Sequence, residues 1–279
     1  MGIVLHTLAA LGYGALAISP WRSMAGQPSH ITPPMQRWGL ALVLLLHAAA
    51  LQQAMLTPQG LRLGLGLALS STLWLGMLVY WFESLMIRVD AVRLLLLPLA
   101  ALAALMPVIL PRGTVIEPFH VPWLGPHLIA SLAAYGIMII AALHALLMAA
   151  IDHHLHRPQA AVQRAGVVAA WARLLDALPP LLVLERVLFR LVAIGFLLLT
   201  FSVASGIAIS LSQGGQALPF DHKTLFTLLS WVTFGVLLLG RRLRGWRGRI
   251  AVRYTLAGLI WLGLAYAGSR FVLEVVLQR

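Results

Sequence analysis

Ten histidines are the main chemical resource of this 279-residue sequence, which contains no cysteine. The absence of cysteine excludes disulfides, thiolate metal sites and cysteine nucleophiles. Any metal ligand that the chain supplies must therefore be a histidine, a methionine or a carboxylate. The eight carboxylates are scattered and form no closely spaced pair of the kind that performs acid–base hydrolysis. Motifs of the types GxxxxGK[ST], GxGxxG and HExxH are also missing, so the sequence predicts no catalytic residues.

Two of the histidines stand at the beginning of long apolar runs. His127 follows Gly125-Pro126 and opens one run, and His222 opens another within PFDHKT. If both runs are helices, the helix dipole disfavours a protonated imidazole at these positions, and neutral imidazole is the form that binds metals. Two such histidines at one membrane face could hold one iron from opposite sides, as in a b-type haem (haem b). The alternative is that both side chains are interfacial and bond to water or to loop carbonyls.

Three further histidines, His6, His47 and His144, lie inside apolar runs. An ionisable residue within a membrane is a functional candidate by default, although a neutral histidine can also simply bond to a neighbouring helix. His47 lies nearest the middle of the membrane, and we treat His47 and His144 as candidates for a second, deeper site. A last group lies at the end of an apolar run and consists of Asp152, His153, His154 and His156. For this group a solvated loop is favoured over a metal site.

Apolar runs must position these residues. Hydrophobic residues make up 61% of the chain and charged residues only 10%, whereas a soluble domain has about 25% charged residues. Runs of roughly 20 apolar residues have the length that crosses the hydrocarbon core of a bilayer. We predict an all-α, polytopic integral membrane protein, a single membrane domain over 1–279. It has about eight transmembrane helices, near 2–18, 37–57, 62–82, 92–111, 125–150, 182–212, 223–240 and 252–276.

The basic residues give these helices a direction. Of the 20 lysines and arginines, 15 fall in one set of loops and 5 on the other side. The rich side is predicted to be cytoplasmic, and an even number of helices then places both termini outside. Residues 160–178 have apolar positions at helical spacing, which predicts a cytoplasmic amphipathic helix lying in the interface between transmembrane helices five and six. These orientation signals account for the formal charge of +12 without a role in binding nucleic acid.

The last hundred residues resemble a known family. The segments LPPLLVLERVLFRLVAIGFLLLTFSVASG (178–206), DHKTLFTLLSWVTFGVLLLGRRLRGWRGRIA (221–251) and LAYAGSRFVLEVVL (264–277) resemble, in this order, the cytochrome c assembly family of membrane proteins. The resemblance is to its branch of YpjD-like and HemX-type proteins, and it covers most of 125–279 once HLIASLAAYGIMIIAALHALLM (127–148) is added. It implies a cytochrome c assembly-like core at 125–279, preceded by an N-terminal four-helix part at 1–111.

This sequence matches the hallmark segment of the family only in part. Members such as CcsA, CcmC and CcmF handle haem, and they share a tryptophan-rich extracytoplasmic segment that ends in WDPKE and is flanked by haem-binding histidines. In PFDHKTLFTLLSW, Asp221 and Lys223 match two residues of that ending, and Trp231 matches the tryptophan of the following helix. His127 matches the first flanking histidine, whereas GSRFVLEV contains no match for the second. His222 replaces the proline, and the upstream tryptophans are absent from SLSQGGQALPF.

The resemblance implies a protein of the bacterial cytoplasmic (inner) membrane that binds or handles haem at the extracytoplasmic face. Without the tryptophan-rich haem-lyase segment, it is not expected to be independently catalytic. The implied partners are the lipid bilayer, haem and other membrane or cytochrome-assembly proteins. We expect His127, which matches a family histidine, and His222, which the family does not supply and which we add as a hypothesis, to be the axial ligands. Asp221, Lys223 and Trp231 would shape the site, with Lys223 or a nearby arginine placed to meet haem propionates. The alternatives are a haem-free scaffold or accessory subunit of the same fold and a small-solute or ion transporter, which requires polar residues converging in mid-membrane.

Overall fold

A computed structural model describes residues 2–24, 32–86, 90–110, 113–116, 123–155, 180–217 and 221–268. Seven helices in these ranges are long and apolar enough to cross a membrane. They are α1 Gly2–Met24, α2 Pro33–Met55, α3 Leu65–Met86, α4 Asp90–Ile109, α5 Leu124–Leu155, α6 Leu181–Ser212 and α7 His222–Arg244. An eighth helix, α8 (Arg249–Gly263), continues into a π-helical turn at Leu264–Gly268. The chain is an all-α polytopic membrane protein, as its composition predicts.

Two of the helices are longer than the hydrocarbon core of a bilayer is thick. Helices α5 and α6 have 32 residues each, which corresponds to about 48 Å at 1.5 Å per residue. The hydrocarbon core is only about 30 Å thick, so both helices extend beyond it. The amphipathic helix predicted at 160–178 lies outside the described residues, as does the part of the eighth run beyond 268.

A small sheet replaces helix at one end of the bundle. Strands β1 (Leu56–Thr57), β2 (Gly60–Leu63) and β3 (Thr114–Ile116) pair antiparallel in that order, with Thr57 opposite Gly60. The predicted helices at 37–57 and 62–82 are therefore wrong by two or three residues where they approach each other. Leucine-rich strands resemble helix ends in hydropathy. The available signal was the turn sequence around Pro58, followed by Gly60 with a φ of 140°.

Helix α5 lies at the centre of the bundle, because it packs against α3, α4, α6 and α8. Its contact with α3 is a backbone contact between Gly136 and Gly76: a Cβ atom added to Gly136 would lie 2.4 Å from the carbonyl oxygen of Thr72. Small residues allow membrane helices to approach this closely. Against α6 the contacts run antiparallel, and Gly195 lies against the side chain of Met138. These two contacts set how α3 and α6 are shifted along their axes relative to α5, and so which polar side chains of neighbouring helices meet.

Among the described residues, three ion pairs connect helices at the arginine-rich end. Arg190 on α6 reaches Glu83 on α3 at 3.0 Å. Arg241 on α7 reaches Glu185 on α6 at 2.6 Å. The third pair joins Asp152 on α5 to Arg249 on α8 at 2.8 Å. The opposite end, where α5 and α7 begin, is called the outer end below.

Candidate haem-binding site at the outer end

The hydrogen bonds of His127 determine which of its ring nitrogens is available to bind a metal. Its Nδ1 atom lies 2.9 Å from the Oγ atom of Ser205 on α6. The single hydroxyl proton of Ser205 is donated to backbone carbonyls, at 2.7 Å to Phe201 and 3.2 Å to Ser202. Ser205 therefore accepts the bond from His127, whose Nδ1 atom carries the proton. In a neutral imidazole the lone pair is then on Nε2, the atom left to bind a metal.

Serines hold the start of α5 against α6. Ser131 donates to the carbonyl oxygen of His127 at 2.6 Å, and its Oγ atom lies 2.7 Å from that of Ser202. Because the proton of Ser131 is used on the carbonyl, Ser202 is the donor in this pair. Gly206 provides the space for the imidazole, since a Cβ atom there would lie 3.3 Å from Cε1 of His127. The ring is thus fixed in position by residues of both helices.

The start of α7 brings three of the predicted site residues to the same end. Asp221 caps the helix: its Oδ1 atom accepts a bond of 2.7 Å from the backbone N–H of Thr224. This backbone bond is the main cause that lowers the pKa of Asp221, and Lys223 and His222 add to it. His222 is the first residue of α7 and is exposed.

The beginnings of α5 and α7 are close enough to interact electrostatically. The positive charge of Lys223 acts on the His127 ring, and the low dielectric in or near a membrane leaves such an interaction little screened. We call His127, Ser205, Asp221, His222 and Lys223 the outer site. Ser205 was not identified from the sequence, because a serine 78 positions away from His127 leaves no local pattern.

Trp231 lies deeper in the bundle. It follows His222 by nine residues, or about 13 Å along α7. Its Nε1 atom donates to Oγ1 of Thr200 at 2.9 Å, and its ring stacks on Phe196 with centroids 5.6 Å apart. The structure therefore places Trp231 in the contact between α6 and α7 and does not bring it to the outer site.

His47 belongs to a buried polar group of the N-terminal helices. Its Nδ1 atom lies 3.2 Å from the hydroxyl of Tyr13, and its Nε2 atom lies 2.9 Å from Oγ of Ser70. The His6 ring is also buried, with its centroid 6.0 Å from that of His47. Both nitrogens of His47 are bonded, so a metal could bind only after one of these bonds is broken. Polar residues do converge here, as a transporter would require, but they bond to one another.

His144 lies in a different group. It is fully buried, its Nδ1 atom bonds to the carbonyl oxygen of Ile140 at 3.0 Å, and the charge of Glu83 acts on it. Ser70, which bonds His47, and Glu83 are 13 residues apart on α3, a distance of about 20 Å. The structure does not bring His47 and His144 into one site.

The remaining histidines give no metal centre in the part of the chain that the structure describes. No group of three or more His, Asp or Glu residues there is placed to hold a metal ion. Asp152, beside His153, is instead paired with Arg249. His30, His120 and His156 lie outside the described residues.

Comparisons with known proteins show which sequences are similar to this chain. Residues 38–277 match the family model for cytochrome C assembly protein. Inner membrane protein YpjD of Escherichia coli strain K12 is 33% identical over 150 residues, which are 54% of this chain and 52% of that protein. An uncharacterized 28.8 kDa protein of Azospirillum brasilense is 33% identical over 155 residues, 56% of this chain and 53% of that protein.

A shorter similarity is to a cytochrome c biogenesis protein. CcsA of Synechococcus sp. strain CC9311 is 33% identical over 85 residues, 30% of this chain and 28% of that protein. The chain spans about half the length of YpjD and of the Azospirillum protein. No solved structure matches it significantly. The family match, however, covers most of the sequence and reaches well into its N-terminal half, and the chain therefore belongs to the cytochrome c assembly family.

Proposed function

We propose that this protein binds haem at the outer site, with His127 as an iron ligand, in the bacterial inner membrane. The observation that carries the proposal is the hydrogen bond from Nδ1 of His127 to Ser205. Histidines that ligate metals almost always donate their other ring N–H to a neighbouring acceptor, which fixes the tautomer and the orientation of the ring. The proposed orientation, with the arginine-rich end in the cytoplasm, makes the outer site extracytoplasmic.

The residues of the outer site fit a haem better than a bare metal ion. A haem iron takes only one or two ligands from the protein, because the macrocycle supplies the others. His127 and His222 are two such ligands at neighbouring helix starts. Lys223 carries a positive charge beside His127 and suits a propionate. Asp221 holds the first turn of α7 and so orients His222 and Lys223.

The proposed role is binding and handling, without independent catalysis. A bound haem would supply a redox-active iron, and the chain's own residues would hold and orient it. The segment 210–220 contains no tryptophan, so the platform that presents haem in the family's lyases is not provided by this chain. Trp231 contributes indirectly, because its bond to Thr200 and its stacking on Phe196 position α7.

Absorption spectroscopy tests the proposal directly. The protein is purified in detergent, titrated with hemin, and its spectra are recorded in the oxidised and reduced states. We expect a Soret band in the wild type that is lost in His127→Ala. In His222→Ala we expect the low-spin spectrum of two histidine ligands to change to a high-spin spectrum.

A matched control is available on the same helix. His153 is exposed and lies 26 residues after His127 on α5, about 39 Å away, so His153→Ala is expected to leave the spectrum unchanged. If the wild type shows no Soret band even with added hemin, the haem proposal is rejected. The haem-free scaffold or accessory subunit of the same fold would then be the better description.

A further inference from the structure

A second polar site lies far from the outer site, between α3, α5 and α6. Glu83 and His144 are both buried, with 5% and 0% of their surface exposed. The Oε2 atom of Glu83 and the Nε2 atom of His144 have no hydrogen-bond partner among the described residues. His144 follows His127 by 17 residues on α5, or about 25 Å, so this site is separate from the proposed haem site.

Both of these unpartnered atoms are acceptors. The Nδ1 atom of His144 lies 3.0 Å from the carbonyl oxygen of Ile140. A carbonyl can only accept, so Nδ1 carries the proton and Nε2 has the lone pair. The Oε1 atom of Glu83 accepts a bond of 3.0 Å from its ion-pair partner Arg190. The site therefore has two buried acceptors and no donor between them. One added proton would turn one acceptor into a donor and allow a hydrogen bond between the two.

Helix packing places these two atoms at one level. Helices α3 and α5 touch at Gly76 and Gly136. Both run towards the arginine-rich end, and Glu83 and His144 follow these glycines by seven and eight residues. A helix returns to the same face after about seven residues, so the two side chains project into the same contact. The charge of Glu83 acts on His144, as this geometry requires.

The contact between α5 and α6 brings Arg190 to the same level. The antiparallel register pairs His127 with Ser205, Ser131 with Ser202, and Met138 with Gly195. Continued along both helices, this register places His144 beside residues 189 and 190. The Arg190 side chain is 46% exposed, whereas that of Glu83 is 4% exposed. Arg190 therefore connects the buried pair with the surface of the protein.

We propose that Glu83 and His144 form an intramembrane site that binds one proton. The proton comes from bulk water on the arginine-rich side and forms an N–H bond at Nε2 of His144. The resulting imidazolium donates to Oε2 of Glu83, directly after a side-chain rotation or through one water. One proton thus satisfies both unpartnered atoms. Burial is the larger effect and opposes the added positive charge, and the Glu83 carboxylate offsets part of this cost.

The other charged groups near this site are already paired. On α4, Arg93 donates to the hydroxyl of Tyr80, about one helical turn before Glu83 on α3. Arg249 on α8 bonds Asp152, two turns beyond His144 on α5. On α6, Arg190 bonds Glu83, and the buried Glu185, five residues before it, is paired with Arg241. Glu83 is therefore the carboxylate that controls the protonation of His144.

Nitrogen NMR of the full chain in lipid nanodiscs tests this site. The protein is labelled with ¹⁵N-histidine, and spectra are recorded between pH 4.5 and 8, since imidazolium and neutral imidazole differ in their nitrogen shifts. The His144 signal is identified by its loss in His144→Asn. We expect imidazolium at His144 at the acidic end. Glu83→Gln is expected to reduce the ratio of imidazolium to neutral imidazole at His144 about tenfold or more, because a nearby opposite charge changes this ratio by roughly one to three powers of ten.

Asp152→Asn is the matched control, because it removes the same charge from α5 near the arginine-rich end and is expected to leave the His144 signal unchanged. A His144 ring that stays neutral throughout the pH range in the wild type overturns the proposal, whether or not the variants fold. An imidazolium signal that persists unchanged in Glu83→Gln also overturns it. Neither result depends on haem, so the outcome is independent of the spectra at the outer site.

Discussion

The close contact between α3 and α5 predicts a large cost for one added methyl group. The substitution Gly136→Ala would place a Cβ atom 2.4 Å from the carbonyl oxygen of Thr72 and 2.8 Å from the backbone nitrogen of Gly76. An ordinary contact to carbon requires about 3.5 Å. Both neighbours are backbone atoms, so no side-chain rotation can relieve the overlap. The two helices would have to separate by roughly 1 Å.

The expected loss follows from this separation. Adding a methyl group to a well-packed core typically costs about 1–3 kcal/mol, and we expect the upper part of that range because the helices themselves must move. Gly76→Ala should be milder, since its Cβ atom would lie 3.1 Å from the carbonyl oxygen of Gly136. Gly14→Ala is the control: it lies in α1 with nothing within 4 Å, and alanine there should stabilise the helix by about 0.5–1 kcal/mol.

Thermal unfolding in detergent, followed by the fluorescence of the nine tryptophans, measures these effects. The expected order of melting temperature is Gly14→Ala above wild type, then Gly76→Ala, then Gly136→Ala. A Gly136→Ala protein as stable as the Gly14→Ala protein would refute the reasoning, because it would mean that the two backbones are not in contact at this position.

Substitutions at three further positions test other contacts by the same melting assay. Glu185→Ala leaves Arg241 without its carboxylate at 2.6 Å; we expect a loss of about 2–3 kcal/mol, below the value for a fully buried pair because the Arg241 side chain is 27% exposed. Asp221→Ala removes a helix cap and should cost about 1 kcal/mol, whereas Asp221→Asn should retain it. Because the pKa of Asp221 is lowered by its bond from the Thr224 N–H, this contribution should be constant from pH 5 to 8 and decline only below about pH 4. Trp231→Phe keeps the stacking but loses the bond to Thr200, and a loss of about 1 kcal/mol is expected; no loss would mean that this bond contributes little.

Helix positions could be predicted because hydropathy is a local property. The run predicted at 182–212 is found as Leu181–Ser212, since the length and apolar character of a spanning helix are contained in the segment itself. The sheet at 56–63 and 114–116 was missed because β3 pairs with β2 across α3 and α4, and the β1–β2 hairpin at 56–63 is short. Apolar composition alone does not distinguish such short strands from the ends of the flanking helices.

The site was predictable only in part, for a related reason. His127, His222 and Lys223 could be found because each lies near the start of a predicted helix, which is visible in the local sequence. Their partners lie on other helices: Ser205 is 78 residues from His127, and Tyr13 is 34 residues from His47. Serine and tyrosine are ordinary residues of membrane helices, so nothing in the sequence singles these two out.

Hydrogen bonding, rather than residue type, separates three of the histidines that the sequence offers as candidate ligands. His47 has partners at both ring nitrogens, from Tyr13 and Ser70, and this argues for a structural role. His127 and His144 each use Nδ1 as a donor, which leaves the lone pair on Nε2 in both. For His127 that lone pair lies at the outer end beside a positive charge, whereas for His144 it is buried near the Glu83 carboxylate. A ligand with acidic groups and a metal that accepts the nitrogen lone pair suits the environment of His127. A proton suits the environment of His144.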